Sequence, residues 1–142
     1  MAPVEFICLL QLAVVAIVMA LIPAVGKIQT WGIIRFVGHP TPEDAALPAW
    51  VRRAERAHLN LMENMIPFAV IVAGTMFGVS DEITQLGAEV FVAARLVQAI
   101  VHIFGISWVR TIAFFVGIGA EVAMLVQIGV PEVPLLLARF LG

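Results

Sequence analysis

The sequence predicts an all-α fold, an integral membrane four-helix bundle, and two observations support this prediction. Hydrophobic residues make up 62% of the chain and charged residues only 13%, whereas soluble domains are about half apolar and about a quarter charged. Four apolar stretches of ~20 residues, enough to cross a ~30 Å hydrocarbon layer, alternate with short connectors. Because the backbone must be satisfied inside such a layer, and alternating β-barrel segments do not occur, the spans are predicted to be helices.

The chain is predicted to be a single membrane domain, residues 1–142, with spans at about residues 4–25, 50–77, 83–104 and 108–128. The first stretch is expected to be a permanent span, because it carries Glu5 where a signal peptide is basic and its apolar run is too long. Its helix is expected to continue through Lys27 and Arg35 into the headgroup layer. The connector at residues 38–50 contains three prolines, which predict a non-helical loop.

The basic residues near the span ends predict the orientation. Those that flank the first and third connectors are Lys27, Arg35, Arg52, Arg53, Arg56 and Arg110. Lysine and arginine accumulate on the cytoplasmic side, so both termini are expected on the other side. The compact connectors favour a bacterial inner membrane.

Several function classes fit poorly. The net charge of -2 argues against a nucleic-acid partner, which requires a basic face. The histidines are not at ligating spacings, and Cys8 is the only cysteine, so no metal site and no disulfide within the chain are predicted. Ser80 and Ser107 lie in connectors without a nearby base, which disfavours a nucleophilic triad.

Polar residues within the second span predict a functional surface. Arg56, Asn60, Glu63 and Pro67 follow one another at spacings of four, three and four residues, which places them on one side of a helix. Glu63 lies ~20 Å below the helix start. An ionisable residue within a span costs at least ~2.5 kcal/mol, so such residues are functional or paired by default.

The third and fourth spans also carry polar and ionisable residues on one side of each helix. Arg95, Gln98 and His102 share one side of the third span, and Arg110 and Glu121 share one side of the fourth. Because these residues fall in the same half of the membrane, they predict a polar pocket open to the cytoplasm.

Structural explanations of the same residues remain open. Arg52 and Arg53 are expected to extend to lipid headgroups, and Arg95 pairs with Glu121 or Glu63 if its role is to lock the bundle. A small transporter subunit is a further alternative, although unbroken spans without repeats disfavour it. Arg95, Glu63 and Arg56 are expected to face lipid unless a second subunit covers them.

Three segments resemble one known family. They are "RAHLNLMEN" followed by "PF", "AARLVQAIVHIFGISWVRT" at the third-to-fourth helix junction, and "PEDA" in the first connector. These segments are similar to those of MAPEG, the membrane-associated proteins in eicosanoid and glutathione metabolism. The resemblance implies a homotrimer that binds glutathione, its co-substrate, between neighbouring subunits.

The resemblance also implies roles for individual residues. Arg56 would meet a glutathione carboxylate, Asn60 and Glu63 would hold its polar groups, including the amine, and Arg110 would face the thiol as the catalytic residue. A cation there lowers the pKa of a thiol. The remaining glutathione-site residues implied are Gln98, His102 and Arg35.

Four departures from the family pattern bear on the activity. Leu59 stands where some members have arginine, Gln98 where many have histidine, His102 where many have tyrosine, and Phe114 where some have tyrosine. They count against a dedicated prostaglandin synthase. The expected function is a membrane glutathione transferase or peroxidase that acts on lipophilic electrophiles. The alternative is a non-catalytic protein that binds lipid or glutathione, comparable to the lipoxygenase-activating protein.

Overall fold

The computed structural model describes residues 2–38 and 46–129, and in these ranges the chain is helical. The helices are α1 Val4–Trp31, α2 Ile33–Val37, α3 Ala49–Thr75, α4 Glu82–Phe104 and α5 Ser107–Gly129. The four long helices match the four predicted spans, so the predicted all-α bundle is confirmed. Most of the first connector, residues 39–45, lies outside the described residues, as does the tail from residue 130 onwards.

The first helix ends earlier than the sequence predicts. The helix continues beyond Lys27, as expected, but stops at Trp31 because Gly32 adopts a φ of 77°. This left-handed conformation is open to glycine and strained for residues with a Cβ. Arg35 therefore lies on the separate short helix α2, and the expected continuous helix through Arg35 is wrong.

The connection between α3 and α4 is fixed by a capping box. The Asp81 carboxylate accepts hydrogen bonds from the backbone N–H groups of Ile83 and Thr84, and the Thr84 hydroxyl accepts one from the Asp81 N–H. This exchange satisfies amides that the first turn of a helix leaves unpaired. At the other end of α4, Gly105 adopts a left-handed C-cap with a φ of 82°, which allows the tight turn into α5.

The helices pack as a bundle in which α1 lies on α3, α3 on α4, and α4 on α5. Phe68 of α3 and Phe91 of α4 stack with ring centroids 4.3 Å apart, and Leu12 and Met124 are fully buried beside them. In contrast, large apolar side chains such as Ile17, Val70 and Phe115 are exposed. An apolar outer surface of this kind is unusual for a soluble monomer and fits a lipid environment.

Three of the long helices, α1, α4 and α5, are long and apolar enough to cross a membrane. Helix α3 has 27 residues, or about 40 Å at 1.5 Å per residue, but it is more polar because of the residues discussed below. That α3 also crosses the membrane stays a prediction.

Candidate functional site

The candidate site lies where the start of α3, the end of α4 and the start of α5 meet, which we call the Gly105 end. A cavity of about 270 Å³ opens there. It is lined by Arg53, Arg56, His102, Gly105, Ile106, Ser107 and Arg110. We call it the arginine cleft. Its lining, within the described part of the chain, holds three arginines and no carboxylate, so the cleft is suited to an anion.

A chain of three hydrogen-bonded polar side chains lies within the bundle, next to the cleft. Arg95 Nη1 donates to Gln98 Oε1 at 2.6 Å, and Gln98 Nε2 donates to Asn60 Oδ1, also at 2.6 Å. We call this chain the relay. Asn60 and His102 lie against the same small cavity as Arg95 and Gln98, and His102 also lines the arginine cleft. His102 is therefore the residue shared by the cleft and the small cavity beside the relay.

His102 and Arg110 contact each other within the cleft. Arg110 Nη1 lies 3.4 Å from His102 Nε2. A guanidinium has only donors, so a hydrogen bond between the two requires His102 Nε2 as the acceptor. His102 Nδ1 is buried and has no partner among the described residues. Both side chains line the cleft.

Arg95 is enclosed by its own chain, with a relative exposure of 1%. Its guanidinium carbon lies 4.8 Å from the Phe91 ring centroid and 5.4 Å from that of Phe114, distances at which a cation and an aromatic face attract each other. The buried Glu121 acts on it electrostatically from α5. The expectation that Arg95 faces lipid is therefore wrong. Among the described residues, neither of the two open pairings forms an ion pair with Arg95; Glu121 is the carboxylate close enough to act on its charge.

The other predicted residues separate into two groups. The structure brings Asn60, Gln98, His102, Arg110 and Arg56 together around the relay and the arginine cleft. Glu63 and Arg35 are exposed and do not line the cleft. Glu63 lies on the same side of α3 as Asn60, about one turn further along.

Arg53 is the residue that sequence reasoning missed. It was expected to extend to headgroups, but its Nε donates to the backbone oxygen of Ile103 at 2.7 Å, and it lines the cleft. The last carbonyls of a helix have no partner within the helix and attract cations. The end of α4 at Gly105 was the available signal, but only the tertiary structure places Arg53 beside it.

Fold and site together define the class: an integral membrane helical bundle with a cationic cleft where the ends of α3, α4 and α5 meet. The sequence model of the MAPEG family matches residues 4–130, nearly the whole chain. The chain belongs to the MAPEG family. The family resemblance inferred from the sequence is thereby confirmed.

The chain is also similar in sequence to a known member of this class of membrane proteins. Over 76 residues, the chain is 36% identical to human "Microsomal glutathione S-transferase 1". The similarity covers 52% of this chain and 49% of that protein, so the match spans about half the length of the relative. The comparison supports a membrane protein with a glutathione-related function.

Proposed function

We propose that this protein is a membrane glutathione transferase that conjugates lipophilic electrophiles, or reduces them as a peroxidase, with glutathione. The observation that carries the proposal is the arginine cleft beside the relay, in a chain of this family. Glutathione has two carboxylates, one ammonium, two amides and a thiol, so its site requires cations, a carboxylate and neutral hydrogen-bonding groups.

The residues of the site match these groups. Arg53 and Arg56 provide guanidinium groups for the carboxylates, and a guanidinium binds a carboxylate through two parallel hydrogen bonds. Asn60 provides a neutral hydrogen-bonding group in the small cavity next to the cleft. Glu63, on the same side of α3, is the candidate for the ammonium, and Arg35 is a further candidate for a carboxylate. Gln98 and His102 act on the site through the contacts they make with Asn60 and Arg110.

Arg110 is the residue proposed to promote the reaction. Glutathione supplies the nucleophilic thiol when it is bound. Arg110 is in the first turn of α5, where the helix dipole adds to its positive charge, and a thiol beside these two positive sources loses its proton more readily. His102 keeps the guanidinium in place. The apolar outer surface of the bundle gives electrophiles dissolved in lipid access to this region.

The proposal predicts that Arg110→Ala removes most of the turnover with a chloronitroaromatic substrate and changes glutathione binding much less. The ultraviolet thiolate signal of bound glutathione near neutral pH should disappear with it. Arg52→Ala is the matched control, because Arg52 is at the same end of the bundle but bonds to the Leu47 carbonyl and does not line the cleft. Normal turnover and an unchanged thiolate signal in Arg110→Ala would refute the role of Arg110. Glutathione binding by the wild type without turnover of aromatic or hydroperoxide substrates would identify a non-catalytic binding protein instead.

We also propose that the chain forms a homotrimer with a glutathione site at each subunit boundary. Arg56 and Glu63 are exposed on α3, and Glu63 lies among apolar side chains that lipid would otherwise surround, where an uncovered charge is costly. Native mass measurement in mild detergent should therefore give three copies. A stable monomer that still binds glutathione would contradict this proposal.

The proposed orientation places the Gly105 end in the cytoplasm of a bacterium, with the chain in the inner membrane and both termini outside the cytoplasm. The arginines at this end, Arg52, Arg53, Arg56 and Arg110, support it, because positively charged segments remain on the cytoplasmic side. Glutathione would then reach the cleft directly from the cytoplasm.

A further inference from the structure

The hydrogen bonds of the relay have a direction, and the direction follows from chemistry alone. Arginine carries only N–H donors, whereas the amides of glutamine and asparagine carry one oxygen acceptor and one NH₂ donor. Because Arg95 can only donate, the group of Gln98 that faces it must be the oxygen. The NH₂ group of Gln98 then faces Asn60, so the side-chain oxygen of Asn60 must accept its hydrogen bond. The reverse orientation of either amide would set a donor against a donor, so this is the arrangement in which both hydrogen bonds form.

The direction of the relay leaves the side-chain NH₂ group of Asn60 without a partner in the relay. The oxygen of Asn60 is engaged by Gln98, so its NH₂ group points away from Gln98, and within the described part of the chain it donates to no other group. Asn60 is partly exposed, whereas Gln98 and Arg95 are buried. The relay therefore ends in a donor at the edge of the site.

The buried end of the relay is held firmly. Arg95 lies between the Phe91 and Phe114 rings, is attracted by Glu121, and packs against Gly117, where any side chain would collide with it. These contacts keep the guanidinium beside Gln98, where Arg95 Nη1 donates to Gln98 Oε1. The orientation of both amides is thus set from inside the bundle.

We propose that the relay makes Asn60 an obligate hydrogen-bond donor to the ligand, so that the site selects a carboxylate or carbonyl oxygen at this position. Arg95 and Gln98 are positioning residues that act through Asn60. The proposal rests on the proposed function, because it assigns the part of glutathione that Asn60 recognises to its acceptor oxygens and excludes its ammonium.

The test reverses the relay. In Gln98→Glu, one carboxylate oxygen still accepts from Arg95 and the other accepts from the Asn60 NH₂ group, so the Asn60 oxygen turns outward. The KM for glutathione should rise by ~10- to 100-fold, the loss of a hydrogen bond to a charged group, with a smaller change in kcat.

The added negative charge of Gln98→Glu is measured separately. In an Asn60→Ala background there is no amide to reverse, so Gln98→Glu there reports the effect of the charge alone. The increase in KM should be larger when Asn60 is present, and this difference is the coupling that the relay predicts. Equal increases in the two backgrounds would overturn the proposal.

A second measurement does not require glutathione. In the full-length protein in detergent, the side-chain amide signal of Asn60 is identified by its absence in Asn60→Ala, and its hydrogen exchange with water is followed by NMR. Exchange should be fast in the wild type and slow in Gln98→Glu, where the NH₂ group becomes bonded. If the wild type binds no glutathione but the exchange of the Asn60 amide is slower in Gln98→Glu than in the wild type, the proposed function is refuted and the proposed relay is supported. If glutathione binds and the exchange does not change, the relay is refuted and the proposed function stands.

Discussion

Replacing Gly117 by alanine tests how tightly Arg95 is held. A Cβ at Gly117 would lie 2.6 Å from Arg95 Nη2 and 3.0 Å from its Cζ and Nε atoms. Nonbonded heavy atoms require ~3.5 Å or more, so the guanidinium would have to retreat by about 1 Å. Because Phe91 and Phe114 flank it, a shift of this size would stretch the 2.6 Å bond to Gln98 beyond the usual hydrogen-bond range.

The expected magnitude is the sum of two opposing effects. Overfilling a packed interior costs about 1–3 kcal/mol, and alanine is about 1 kcal/mol better than glycine within a helix. Gly119→Ala on the same helix isolates the second effect, because a Cβ at Gly119 meets nothing within 4 Å. Gly117→Ala should therefore be about 1–3 kcal/mol less stable than Gly119→Ala.

The assay is thermal unfolding of both variants in the same detergent, with the KM for glutathione measured in parallel. The midpoint of Gly117→Ala should lie several degrees below that of Gly119→Ala, at ~2–4 °C per kcal/mol for a chain of this size. Its KM should rise as well, because the relay is disturbed. Equal midpoints and equal KM values would show that Arg95 does not occupy the space beside Gly117.

Two other predictions concern the packing of α1 against α3 and the N-terminal cap of α4. Gly26→Ala should lower the unfolding midpoint, because its Cβ would lie 2.5 Å from Val51 Cγ2, a buried, stiff, β-branched side chain; a midpoint at or above that of the wild type would contradict this. Hydrogen bonds, first from the Thr84 backbone, lower the pKa of Asp81 in the folded protein. The cap stabilises the fold above about pH 4, where the carboxylate is charged in both states, and this contribution is lost as the pH falls through the lowered pKa. The midpoint of Asp81→Asn should therefore fall less than that of the wild type on acidification, and parallel pH curves would refute the assignment.

The long helices were predictable because their ends carry local signals. Asp81 and Thr84 mark the start of α4, and Gly105 marks its end, so the predicted boundary at residue 83 differs from the observed one by a single residue. The break at Gly32 was missed because the residues after it remain apolar and only one glycine marks it. A lone glycine is tolerated in a helix, so its positive φ is decided by the tertiary structure.

The candidate site was predictable along each helix but not between helices. Helical spacing correctly grouped Arg95 with Gln98 on α4, and Asn60 with Arg56 on α3. It contained no information about the register of one helix against its neighbour, and this register decides that Gln98 faces Asn60 and that Arg95 faces Glu121. Arg53 was missed for the same reason, because its partner is a backbone carbonyl of another helix.

Arg95 on α4 and Glu63 on α3 are both ionisable, but Arg95 is buried within the chain and Glu63 is exposed on its surface. Arg95 is enclosed by aromatic rings, an amide and the charge of Glu121, all from its own chain. Glu63 has no hydrogen bond or ion pair within the described part of the chain, and its neighbours along the same side of α3, Leu59, Ile66 and Val70, are exposed apolar side chains. A carboxylate on such a surface has to be neutralised or covered. One chain thus supplies the cationic cleft and the proposed donor at Asn60, whereas the group proposed for the ligand ammonium lies on a surface that the neighbouring subunit of the proposed trimer would cover.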